Sequence, residues 1–361
     1  MPIDASIRNV IKEKGYITID DVMRQTLTDN SDSYYKNVKN LGQYGDFITS
    51  PELSQLFGEM IALWCIQRWQ KIGKPSDFVL LELGPGHGSL MSDLIRVAKV
   101  EPDFLDAVQI YLYEVNPHFI AKQKSILGQG IRTKWVSNLN DLPDLPLLVV
   151  ANEFFDALPI KQYMKIKLKW YESVMVVDPI DAKIKYDTIN INSNLQKQFA
   201  IDYIHSPDGG IIEESVDSLN IIREISKKII ENTGSALVID YGYHVSPHSR
   251  TSTQYNSTLQ AMKNHKYVSI IDTLGEADVT AHVDFYALQK ASQESGCSFF
   301  SFKNQEEFLV EHGIYFRAEM LKKSLSTDDK LVIDRQVKRL VSKEFMGGLF
   351  KVLEISSRAD N

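Results

Sequence analysis

The sequence of 361 residues is poor in cysteine, with only Cys65 and Cys297. Two cysteines cannot build a disulfide framework or a zinc site, and they point to a reducing compartment. No apolar run is long enough to span a bilayer, so membrane insertion is not expected. No block of basic residues stands out and the net charge is −7, so nucleic acid is not an expected partner. The opening MPIDASIRNVIKEKG lacks a secretory apolar core, and Asp4 and Glu13 set it apart from an acid-poor transit peptide. The location expected from these absences is cytoplasmic, of the bacterial type. The alternative is the mitochondrial matrix, with a presequence already removed. No internal repeat, low-complexity tract or metal-ligand spacing occurs, so no metal is expected.

What is present is ordinary core material: 43% of residues are hydrophobic and 24% charged, enough for one large domain with additions. The chain is organised around residues 77–98, DFVLLELGPGHGSLMSDLIRVA. Phe78 to Leu83 reads as a strand covered on both faces. Gly84, Pro85, Gly86, His87 and Gly88 follow as a turn that a ligand can approach closely. Ser89 is the expected cap of the next helix, whose Leu90, Leu94 and Val97 share a face. A dinucleotide fingerprint would need a third glycine at position 89, where Ser89 stands, which argues against a nucleotide-dependent oxidoreductase. Upstream, Ser50-Pro51-Glu52 marks a helix start, with Ser50 as the cap. Residues 42–49 read as a connecting loop or as a flap over a bound ligand.

Further strands are expected at 109–115, 131–136, 145–151, 236–241, 298–303 and 350–355. Glu114 ends the first of these, where an acid in a doubly wound fold accepts hydrogen bonds from ribose hydroxyls. Asn138 follows the next strand and is a candidate for adenine contact. Asn152, Glu153 and Asp156 follow the strand at 145–151, on the sheet edge where such folds bind ligands. Residues 165–177 alternate as a strand pair, 178–206 are polar and give no clear reading, and 245–258 read as a mobile loop.

Five strings, GDFITSPELSQLFGE, ELGPGHGSL, ANEFFDALP, IDYGY and DVTAHVDF, resemble in order and spacing the MidA family. Its mitochondrial members are arginine methyltransferases that assist respiratory complex I assembly. The resemblance runs over most of the chain, from about Tyr34 to Ile355. It implies an α/β fold with the doubly wound, mostly parallel sheet of the class I S-adenosyl-L-methionine-dependent methyltransferases. Residues 1–75 would form an N-terminal helical region and flap, and 76–361 the core, with insertions at about 165–215 and 243–283. Glu82, Gly84, Pro85, Gly86 and Gly88 would hold the methionine half of the cofactor, with Glu114 on its ribose. Asn152, Glu153 and Asp156 would line the transfer site. A guanidinium nucleophile keeps its charge below about pH 12, and paired carboxylates would orient it. Glu153 and Asp156 are the candidates, with Asp240, His282 and Asp284 as helpers. The implied partner is a protein substrate, a complex I subunit being one, and a homodimer is compatible with the sequence. The competing readings are a cofactor-binding assembly factor that transfers nothing, and a methyltransferase for another side chain or a small molecule.

Overall fold

Every residue of Phe78–Leu83 (β1) is buried, the condition of a strand covered on both faces. Val108–Tyr113 (β2), Thr133–Val136 (β3), Leu147–Asn152 (β4), Gly234–Tyr243 (β5), Phe299–Asn304 (β6) and Phe350–Ser356 (β7) join it in one sheet. Its order is β6-β7-β5-β4-β1-β2-β3. Neighbours from β3 to β5 pair in parallel, while β7 runs antiparallel to both β5 and β6. Helices Gln55–Lys71 (α1), Ser89–Ala98 (α2) and Pro117–Leu127 (α3) belong to the same part of the chain. The sheet is the doubly wound one expected, and its observed strands agree with the expected ones to within about two residues at each end.

This structure is a computed structural model that describes residues 2–29, 32–37, 49–128 and 132–357. Apart from Thr49, the expected flap at 42–49 lies outside the described residues. The chain divides into two compact units. One gathers Lys39–Phe155, Ile221–Gly242 and Ala287–Asn361 and carries the sheet. Its core packs Leu80, Ile110, Leu148, Ile239 and Val352 of the strands with Phe57, Met60 and Trp64 of α1 and Leu90 and Leu94 of α2. A buried Glu354 on β7 ties α1 down, accepting from Trp64 Nε1 at 2.8 Å and from Arg68 Nη2 at 2.5 Å. Burial pushes this carboxyl up, but the Trp64 indole and the Arg68 guanidinium outweigh burial and hold it below its usual value.

The other unit gathers Met1–Val38, Asp156–Asn220 and Tyr243–Tyr286. The strand pair expected at 165–177 belongs here, as Lys161–Ile166 and Lys169–Val177 of a separate five-stranded sheet. The polar stretch without a clear reading contains a strand, Ile184–Asn190, and a helix, Ser193–Asp202. Both are held by tertiary partners: the strand pairs along Lys169–Val177, and Phe199 is buried among Tyr163, Trp170 and Tyr203. Segment 245–258 is not the loose loop expected. It buries Arg250 and Tyr255, and Arg250 reaches Asp284 at 2.6 Å with its guanidinium 4.9 Å from the centre of the Tyr243 ring. An ion pair and an aromatic face hold a segment that is short of aliphatic side chains. Among the described residues, no helix is long and apolar enough to cross a membrane.

Candidate active site

Strand order reverses between β1 and β4, because β2 and β3 extend the sheet to one side and β5 and β7 to the other. In such sheets a crevice opens at the carboxyl ends of the two strands flanking the reversal. The sequence puts the glycine turn after β1 and the pair Asn152-Glu153 at the end of β4, both at that point. A cavity lies there, lined by Glu82, Gly84, Gly86 and His87 from the β1 side, Asn152 and Glu153 from β4, and Pro51 and Glu52 from the turn before α1.

The glycines are there for backbone geometry. Gly84 sits at φ +61°, and a Cβ on it would lie 2.9 Å from Cδ2 of Phe154. Gly88 sits at φ +85°, and a Cβ on it would lie 3.2 Å from Cγ of Gln123. Any L side chain at either position is strained as well as crowded. Gly88 also takes the position before α2, so Ser89 is the first helical residue and not the expected cap. The left-handed glycine makes the turn that a capping serine would otherwise begin. A similar shift occurs upstream: Thr49 precedes the short turn Ser50–Leu53, and Ser54 caps α1 by accepting from the Leu56 N–H.

Two acceptors on the cavity wall are buried without a hydrogen-bond partner among the described residues, Glu82 Oε2 and Asn152 Oδ1. Buried acceptors of this kind are costly unless a ligand supplies donors. The pair suits a cationic ammonium, the group that ends the methionine half of the expected cofactor. Burial, and then the Glu114 carboxylate, push the Glu82 carboxyl up to about 8. Glu153 is one of the few non-glycine residues at positive φ, +50°. Its N–H donates to Ile239 O at 2.9 Å, and its Oε1 accepts from Ser50 N and from Asn152 Nδ2, both at 3.1 Å. Strain of this sort collects at functional sites, where the surrounding bonds enforce it. His87, given no role from the sequence, pairs through Nδ1 with Glu52 Oε1 at 2.6 Å.

Glu114 lies just past β2. Its Oε1 accepts from the Val115 and Asn116 amides at 2.8 Å each, and its Oε2 from Gln123 Nε2 at 3.3 Å. Burial raises this carboxyl, opposed by those three donors. Asn138 is exposed and caps the turn Leu139–Asp141, accepting from Asn140 N. Asp240 is fully buried and holds the Phe155 N–H at 3.1 Å, so it braces the chain after β4. Asp156 and His282 belong to the other unit. There Asp156 O accepts from Ala281 N, and the charges of Asp278 and Asp156 act against ionisation of the half-buried Tyr35 hydroxyl, which donates to Asp278 Oδ1 at 2.8 Å. The His282 N–H donates to Thr258 Oγ1 at 2.8 Å, and burial lowers its imidazole against the pull of Glu213. Asp284 is the partner of Arg250. Gln123 and the Glu52–His87 pair had no signal in the sequence, because their partners lie far along the chain.

Residues 60–303 match the family described as "Putative S-adenosyl-L-methionine-dependent methyltransferase". The chain is 31% identical to protein arginine methyltransferase NDUFAF7, mitochondrial, of Xenopus tropicalis, over 96% of this chain and 83% of that one. It is 32% identical to the Homo sapiens protein of the same name, over 89% of this chain and 76% of that one. A Burkholderia thailandensis protein solved with S-adenosyl-homocysteine bound shares the fold at a TM-score of 0.87 and 25% identity, covering 99% of this chain and 92% of that one. The cytoplasmic location expected from the sequence is corrected by these relatives, which from frog to fly are mitochondrial proteins. A bland N-terminus does not separate a bacterial-type protein from an organelle one. The sheet order, the glycine turn at its reversal and the length of the match lead to one family: the chain belongs to the S-adenosyl-L-methionine-dependent methyltransferases that include the mitochondrial NDUFAF7 proteins.

Proposed function

We propose that the protein is a methyltransferase that binds S-adenosyl-L-methionine at the β1–β4 reversal and modifies an arginine side chain of a protein substrate. The observation that carries this reading is the pair of buried acceptors without a partner among the described residues, Glu82 Oε2 and Asn152 Oδ1, in a cavity walled by the glycine turn and the strained Glu153. The S-adenosyl-homocysteine bound by the Burkholderia relative supports the cofactor, and the name of the frog and human relatives supports arginine. A complex I subunit is the substrate the family resemblance points to, and the relatives support the mitochondrial matrix as the setting. A homodimer is also part of the proposal.

When bound, the cofactor supplies an electrophilic methyl group on a sulfonium. Glu82 and Asn152 take the ammonium of its methionine half, and the turn from Gly84 to Gly88 lets the backbone come close. Glu114 takes ribose hydroxyls; its fixed carboxylate has acceptor capacity left after the Val115, Asn116 and Gln123 donors. Glu153 faces the nucleophile. Its charge holds a guanidinium in place and keeps the positive charge on the nitrogens it touches, leaving the remaining nitrogen richer in electrons. Asp156 and His282 are assigned to the substrate side, where an acid and a near-neutral imidazole suit a cationic group. Asn138 is assigned to the adenine. Alignment of the two reactants can supply about 7–11 kcal/mol in favourable cases, so no metal is needed.

Labelled S-adenosyl-L-methionine incubated with the protein and a mitochondrial lysate should label a protein band, and mass spectrometry should place the label on arginine. Label on another residue would move the substrate assignment. S-adenosyl-homocysteine binding with no label in any fraction would favour an assembly factor. Glu114→Ala should weaken S-adenosyl-homocysteine binding by about 1–3 kcal/mol in calorimetry, because a charged acceptor is lost to two hydroxyl donors. Parental affinity would remove its ribose role.

A further inference from the structure

Gln123 on α3 is fully buried and joins three parts of the sheet edge. Its Nε2 donates to Gly86 O at 2.7 Å and to Glu114 Oε2 at 3.3 Å. Its Oε1 accepts from Trp135 Nε1 at 2.7 Å. The amide can face only one way. Turned over, its oxygen would meet two acceptors and its NH2 would meet an indole N–H, leaving all three partners unsatisfied. Its Cγ also stands where a side chain on Gly88 would begin. One side chain therefore bonds to the turn after β1, the acid after β2 and an indole on β3.

From this geometry we propose that Gln123 is a positioning residue for the cofactor, setting the span between the glycine turn and the ribose acid. The inference rests on the cofactor reading above. The bond to Gly86 O fixes the middle of the turn before any ligand arrives. The bond to Glu114 Oε2 completes a clamp whose other jaw is the pair of amides on Oε1, so the carboxylate cannot rotate. A ligand gripped at both ends then spends none of its binding free energy on ordering these groups. The requirement is chemical: two N–H donors and one acceptor on a side chain of this length, which only glutamine provides.

Two full-length variants test it. Gln123→Met keeps the length and apolar packing but removes both donors and the acceptor. Its affinity for S-adenosyl-homocysteine by calorimetry should fall about 10- to 100-fold. The amides of Gly84, Gly86, His87 and Gly88 should exchange hydrogen faster than in the parent without any ligand. Gln123→Glu keeps the shape and can donate only when its carboxyl is protonated. Its affinity relative to the parent should be closest at low pH and fall as pH rises, when the introduced carboxylate repels Glu114. A residue that merely fills space would not produce that pH profile. Parental affinity for the methionine variant, or a glutamate variant whose ratio to the parent is flat with pH, would overturn the proposal. A parent that does not bind S-adenosyl-homocysteine would instead remove the cofactor reading, and exchange at residues 84–88 would still decide whether the clamp exists.

Discussion

Glu153→Gln is expected to bind S-adenosyl-homocysteine within about threefold of the parent and to transfer methyl groups about 100- to 1,000-fold more slowly. The substitution separates the bracing bonds the carboxylate makes in this structure from the catalytic role proposed for it. As a brace, Oε1 accepts from the Ser50 amide and from Asn152 Nδ2. An amide oxygen can accept both, so the turn Ser50–Leu53 and the end of β4 should keep their places. As a charge beside a cationic nucleophile, the carboxylate has no substitute in an amide. The loss should therefore fall on the chemical step and appear in single-turnover rates, with little change in ligand affinity. The backbone adds weight to this assignment. At φ +50° a glutamate is strained, and asparagine or glycine would sit there more easily. A residue held in that conformation on the cavity wall is explained by its side chain rather than by its backbone. Parental single-turnover rates would end the role assigned to Glu153. A variant that loses cofactor binding as well would show that the brace cannot be separated from the charge.

The parts of this site that were legible in the sequence are those whose cause is local. A strand buried on both faces writes itself as an apolar run, and the run Phe78–Leu83 leads straight into glycines whose positive φ the turn demands. The place of Glu114 just past a strand is likewise fixed by local pattern. Where two local signals compete, the sequence could not choose. Thr49, Ser50 and Ser54 are all able to cap, and the helix break at Ser54 follows from its extended backbone at φ −160°, which nothing nearby announces. Gln123 lies in a helix with neighbours of ordinary character, and its partners are 37, 9 and 12 residues away. Its importance exists only once α3 is laid against the sheet. Ile184–Asn190 was hidden for a related reason: it is an edge strand with mostly exposed positions, so hydrophobic alternation is faint and its pairing with Lys169–Val177 decides the conformation. Arg250 reverses the usual reading of a polar loop, since its guanidinium is the group that anchors the segment among tyrosines.

The affinity of the protein for S-adenosyl-homocysteine is expected to rise about tenfold per pH unit between about pH 6 and 7.5, a slope that Glu82→Gln should abolish. Glu82 Oε2 is buried on the cavity wall and has no hydrogen-bond partner among the described residues. Burial and the Glu114 charge push its carboxyl up to about 8, so the ligand-free protein carries it protonated through most of the neutral range. An ammonium group at this position favours the ionised form, and binding must then expel the proton. The cost grows by about 1.4 kcal/mol for each unit below the ligand-free pKa, which is the origin of the slope. The same shift acts on stability with the opposite dependence on the ligand. An acid whose folded pKa lies above its unfolded value of 4.5 contributes stability that is fully present below 4.5 and is lost as pH rises through about 8. The ligand-free parent should therefore lose thermal stability from pH 5 to 8 more steeply than Glu82→Gln, while the bound parent should not. Calorimetry in two buffers of different ionisation heat measures the proton directly. Release of close to one proton on binding at pH 6.5, absent in Glu82→Gln, would place the ammonium against Glu82. A flat affinity with no proton released would mean that the ligand's cation lies elsewhere and that Glu82 stays neutral behind the glycine turn.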